Sequence, residues 1–150
     1  MTTTSPAPPT FAGGVHTLPI RVYYEDTDFS GVVYHASYLR FMERGRTELL
    51  RAQGADQSDL HQDGAGLAFV VRKMVIDWLK PARMDDIIDV VTTPREVRGA
   101  SMTLHQAVRR CDDLLVEAHV TVACVRNGRA VRIPDGLRRL MAPQDTTGTE

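Results

Sequence analysis

The chain has 150 residues, 43% of them hydrophobic, and a formal net charge of -1. That length supports one domain with a real core and leaves too little for two, and the near-neutral charge excludes any general pull toward nucleic acid, so an anionic ligand needs a local basic patch. Cys111 and Cys124 form neither a CxxC pair nor a Cys/His cluster at metal spacing, which indicates neither a disulfide framework nor a zinc site.

Residues 1–16 are expected to form a disordered tail. Met1 to Pro9 carries Thr, Ser, Ala and Pro, without the basic start and apolar stretch of a secretory signal. No run reaches the roughly 18 apolar residues of a membrane-spanning helix, so a soluble, cytoplasmic protein is expected. From Thr17 to Tyr24, Leu18, Ile20, Val22 and Tyr24 alternate as in a strand with one buried face. Glu25 to Val33 is acidic and then glycine-bearing, a loop that feeds a helix beginning near His35.

Between Ala36 and Ala52, Tyr38, Met42, Gly45, Leu49 and Ala52 recur at spacings of four and three, with Phe41 and Leu50 beside them. This is the pattern of a long amphipathic helix. Gly45 costs helix stability by about 1 kcal/mol relative to Ala, so its place on the apolar stripe predicts a very close approach to a sheet. Gly54 is the expected stop.

A looser segment, Ala55 to Gly66, is expected to hold one helical turn around Ser58 to Gln62. Four extended runs follow: Leu67 to Leu79, Ile87 to Val97, Ser101 to Arg110 and Leu114 to Val125. Lys80-Pro81, Arg98-Gly99-Ala100 and Cys111-Asp112-Asp113 separate them, and such short links predict antiparallel hairpins. Arg126, Arg129 and Arg132 surround Asn127-Gly128, a further turn. Pro134 to Leu140 reads as a short helix with Pro at its start, and 143–150 as a flexible C-terminal tail. The order is thus α+β, an antiparallel sheet with one long helix on its apolar face, spanning 17–142. An exposed edge from Phe69-Val70-Val71 to Met74-Val75-Ile76 would be hazardous, so a two-fold homodimer is expected to cover it.

The segment Tyr23 to Tyr38 holds the most chemistry. Glu25, Asp26 and Asp28 would suit a solvated turn, but Gly31 permits close backbone approach, and free helix N–H groups follow near Tyr34 and His35. A helix start opposite a carboxylate is a minimal acyl-transfer site, since its N–H groups favour the charge that develops on a carbonyl oxygen. A thioester has a good leaving group, so a carboxylate suffices for attack or for activating water. The chain has no G-x-S-x-G elbow, which weighs against a serine hydrolase.

Asp26-Thr27-Asp28, Gly31-Val32-Val33-Tyr34-His35, Tyr38 and Glu43-Arg44 together resemble the YbgC branch of the 4-hydroxybenzoyl-CoA thioesterase family. Phe69-Val70-Val71-Arg72-Lys73-Met74, Pro81-Ala82-Arg83 with Asp85-Asp86, and Arg98-Gly99 extend the resemblance across Pro19 to Pro134. It implies the hotdog fold, a five-stranded antiparallel sheet wrapped around the long helix, in a homodimer or homotetramer. It also implies hydrolysis of acyl-CoA to free acid and coenzyme A. Asp28 falls at the catalytic aspartate, as nucleophile or general base, and His35 supplies the backbone N–H that polarises the thioester carbonyl.

Gly31, Val33 and Tyr34 are expected beside the substrate, although Tyr34 also suits a packing role. Arg72, Lys73 and Arg98 are expected to meet the coenzyme A phosphates, with Lys80 and Arg83 as further candidates. No separate cofactor and no metal is implied. Phe29-Ser30 departs from the small residues common in relatives. Glu43 is the rival acid, with surface pairing to Arg44 or Arg46 favoured for it, and Glu25 and Asp26 are expected to shape the turn. The alternatives are hydrolysis of thioesters on acyl carrier protein and a largely non-catalytic role as a Tol-Pal-associated envelope or lipid partner.

Overall fold

The computed structural model describes residues 5–53 and 66–142. The expected stop at Gly54, the turn around Ser58 to Gln62 and the tail from Pro143 lie outside the described residues. The sheet starts earlier than residue 17: β1 (Thr10–Ala12) pairs with β2 (Val15–Arg21) as a hairpin. Gly13 and Gly14 close it at φ 60 and 78, the left-handed geometry whose twist matches the flanking strands. Residues 10–16 are therefore strand and turn rather than disordered tail. That Gly-Gly pair was the available signal.

After β2, Val22 still bonds across the chain, donating to Asp86 O and accepting from Asp85 N, both at 2.8 Å. A 3-10 turn at Tyr24–Asp26 then leads through the acidic loop to α1 (His35–Ala52). The remaining elements are β3 (Leu67–Trp78), β4 (Ile87–Val97), β5 (Ser101–Arg110), β6 (Asp113–Arg126), β7 (Arg129–Ala130) and α2 (Asp135–Met141). The sheet is antiparallel, in the order β1-β2-β4-β5-β6-β3, with β7 also on β6. It has seven strands rather than five, because short hairpins add β1 at Gly13-Gly14 and β7 at Asn127-Gly128. The link at Lys80-Pro81 closes no hairpin: β3 pairs with β6, while β4 pairs with β2 and β5.

The helix covers one face of this sheet. It buries Tyr38, Phe41, Met42, Gly45, Leu49 and Leu50 against inward side chains that include Ile88, Val90, Leu104, Val108, Ala118 and Val120. Each fully buried side chain of this size contributes about 1.5–3 kcal/mol. Ala52, expected on the stripe, is exposed at the helix end. A Cβ on Gly45 would stand 2.8 Å from Val90 Cγ1 and 3.0 Å from Thr92 Oγ1, which is the close approach its sequence position predicted. Beside it, buried Gln106 donates to Met42 O and Thr92 Oγ1, both at 2.9 Å, and accepts from Arg46 Nη1 at 3.0 Å. This satisfied polar contact fixes the helix on the sheet.

Candidate active site

Asp26 builds the entrance to the loop. Its carboxylate accepts from Tyr23 N at 2.9 Å, and its carbonyl accepts from Tyr34 N at 3.0 Å and Ser37 Oγ at 3.1 Å. It is buried and shapes the turn, as its place in the sequence suggested. Glu25 is exposed. Two residues on, Asp28 N donates to Val32 O at 2.8 Å and Gly31 N to Asp28 O at 3.0 Å, which closes a tight turn with Gly31 at φ 87.

A second segment clamps this turn from below. Val33 N donates to Ala82 O at 2.8 Å, and Val32 bridges to Arg83. Asp86 Oδ2 in turn accepts from Arg83 N at 2.8 Å and from Arg110 Nη1 at 2.7 Å. Tyr38 Oη accepts from Ala82 N at 3.0 Å, and burial pushes that phenol above its ordinary range. Pro81 to Asp86 is therefore the support of the Asp28 loop.

Asp28 is exposed, and its Oδ1 accepts from Ser30 N at 2.9 Å and Ser30 Oγ at 2.7 Å. The Ser30 hydroxyl, with the backbone N–H groups of the turn, holds the carboxyl below its usual range. No acceptor among the described residues takes His35 N–H, the first donor of α1, whereas Tyr34 N–H is spent on Asp26. The His35 ring stacks on Trp78, with centroids 4.3 Å apart.

Asp28 and His35 line one cavity of about 320 Å³, with Val32, Val33, Tyr34 and Tyr38 on one side and Trp78, Leu79, Pro81 and Val116 on the other. Trp78 and Val116 were not among the expected site residues. The single Trp beside Lys80-Pro81 was a usable signal.

Of the basic candidates, Lys80 also lines this cavity, 3.2 Å from Asp113. Arg72 and Lys73 lie exposed on β3, at the irregularity in its pairing with β6. Arg98 follows the far end of β4 and pairs with Glu96 at 2.9 Å, so a single chain does not bring it to Asp28. Gly31 and Tyr34 are exposed, whereas Val33 is buried. Glu43 lines a separate groove of about 970 Å³ beside Arg44 and Arg46.

A sheet wrapped on one long helix, with an acidic loop leading into the helix start, defines a thioesterase of the hotdog type. Residues 22–141 match the model of the thioesterase-like superfamily. The chain is 48% identical over 108 residues to the acyl-CoA thioester hydrolase YbgC of Escherichia coli O6:H1, covering 71% of this chain and 79% of that one. The structure of a probable thioesterase from Bartonella henselae is similar at a TM-score of 0.77 and 41% identity, over 80% of this chain and 99% of that one. The 4-hydroxybenzoyl-CoA thioesterase of Pseudomonas sp. strain CBS-3 has a TM-score of 0.79 at 19% identity, over 84% and 98% of the two chains, a likeness of fold alone. The chain belongs to the thioesterase-like superfamily, in its branch of YbgC-type acyl-CoA thioesterases.

Proposed function

We propose that this chain hydrolyses acyl-CoA to a free acid and coenzyme A, with Asp28 attacking the thioester and His35 N–H stabilising the oxyanion. The observation that carries the proposal is that an exposed, oriented carboxylate and an unspent helix-start donor border the same largely apolar cavity. The two bonds from Ser30 orient the carboxylate through Oδ1, and Oδ2 would attack the carbonyl carbon. Attack forms a C–O bond and places negative charge on the carbonyl oxygen, which the His35 N–H and the helix dipole stabilise.

Collapse of that intermediate breaks the C–S bond and releases the coenzyme A thiolate, leaving a mixed anhydride on Asp28. Water then cleaves the anhydride, restoring the carboxylate and freeing the acid, with protons passing to the thiolate and to solvent. The lowered proton affinity keeps the carboxylate ionised at neutral pH, as attack requires. Val33 and Tyr34, which line the cavity, would bound the acyl group, whereas Gly31, expected beside the substrate, shapes the Asp28 turn outside the cavity wall. Lys80 is the basic side chain already in the cavity wall, while Arg72, Lys73 and Arg98 would reach coenzyme A phosphates only from a second copy or through a long cofactor arm.

Thiol release from short aliphatic, long aliphatic and benzoyl-type CoA thioesters tests the reading, with acyl carrier protein thioesters in parallel. Turnover on CoA substrates that collapses in a folded Asp28→Asn variant supports it. Equal turnover in the variant sinks the assignment of Asp28, and turnover confined to the carrier-protein substrates sinks that of coenzyme A.

Two copies are proposed to join along β3. It is an edge strand of the sheet, and Val70, Val71 and Val75 on it are between 44% and 49% exposed. Pairing would remove this apolar edge from water.

A further inference from the structure

Two imidazoles and a carboxylate converge on the outer face of the sheet, away from α1. His105 on β5 and His119 on β6 are direct cross-strand partners, and Glu117 lies two residues along β6 on the same face. Their neighbours Gln106, Ala118 and Val120 are buried on the helix side, so the sheet separates this cluster from the Asp28 cavity. His105 Nε2 and Glu117 Oε2 are 2.7 Å apart, and the two imidazole rings meet edge to face at 5.2 Å. One coordinating atom from each residue lies within 4.8 Å of the others.

A tetrahedral zinc ion, bound by His nitrogen and carboxylate oxygen at about 2.0–2.2 Å, holds its ligand atoms roughly 3.3 Å apart. Side-chain rotation would have to close the three atoms from within 4.8 Å to that spacing, on adjacent strands whose register holds the residues together. Asp77 on β3, the direct partner of Glu117, adds negative charge to the same face, while Arg109 on β5 opposes it.

We propose that His105, Glu117 and His119 form a binding site for a first-row divalent metal ion, zinc foremost, that clips β5 to β6 and keeps one coordination position open to solvent. Two imidazoles and a carboxylate are the donor set such ions favour. Local spacing of Cys and His pointed to no metal, because His105 joins the Glu-x-His pair only through strand register. The site is independent of thioester hydrolysis, since the sheet stands between the two.

Metal-stripped protein titrated with Zn2+ by calorimetry, and with Co2+ by visible absorption, tests the proposal. One ion per chain is expected, with affinity about tenfold or more weaker in each of His119→Ala and Glu117→Gln, and with a Co2+ spectrum free of sulfur charge transfer. His119 is exposed and Glu117 only partly buried, so the two variants provide separate folded tests. Absence of Zn2+ uptake, an affinity unchanged in both variants, or binding lost in Cys111→Ser instead overturns it.

Discussion

Ser30 donates twice to a single oxygen of Asp28, through its backbone N–H at 2.9 Å and its hydroxyl at 2.7 Å. Both bonds favour the ionised carboxylate, the hydroxyl most, and lower its pKa. A carboxylate nucleophile is active above its pKa and loses activity as pH falls through it. Ser30→Ala removes the largest cause of the shift, so the acid limb of the kcat/KM profile is expected to move to higher pH while activity near neutrality persists. A limb that stays in place means that Asp28 is not the titrating group.

The two acids of the loop and helix should separate cleanly. Asp28→Asn is expected to lower kcat by about 10²–10⁴-fold, with the amide oxygen still able to accept from Ser30. Glu43→Gln should stay near the native rate, because Glu43 borders the other groove. Side-by-side steady-state kinetics on one CoA thioester decides this, and the reverse ranking would move the chemistry to α1.

Gly45→Ala sets a helix-propensity gain of about 1 kcal/mol against overpacking that costs about 1–3 kcal/mol. The added methyl meets Val90 Cγ1 at 2.8 Å on a rigid strand, with Thr92 and Gln106 close behind. Net destabilisation of up to about 2 kcal/mol is expected, read as a lower urea midpoint at an unchanged slope. A raised midpoint would mean that α1 can lift from the sheet without loss.

Val71→Lys places a charge on the exposed β3 edge, a device that blocks strand pairing between chains. Sedimentation equilibrium is expected to find the native chain as a dimer or larger and the variant shifted toward the monomer. A native chain that sediments as a monomer would remove the proposed pairing altogether.

Much of the fold was legible because short-range physics writes it into the chain. Alternation gave β4 and β5 their bounds, Ile87–Val97 and Ser101–Arg110, and the Tyr38 to Leu49 stripe gave α1, since side-chain period follows directly from backbone geometry. Gly45 announced its own contact. The acidic loop, Gly31 and the helix start were also readable, because they adjoin one another along the chain.

Pairing was less legible, because it depends on partners distant in sequence. Nothing local distinguishes a strand that turns back on its neighbour from one that crosses the sheet, yet β3 skips β4 and pairs with β6. That crossing sets Trp78 against His35 and closes the cavity beside Asp28. Strand register alone likewise puts His105 opposite His119. The sequence by itself determined the long helix, the five main strands and where an acid meets a helix start, because those depend on neighbouring residues. Only the tertiary structure decided what walls the cavity and which side chains gather on the outer face, because those depend on how distant strands are ordered and aligned.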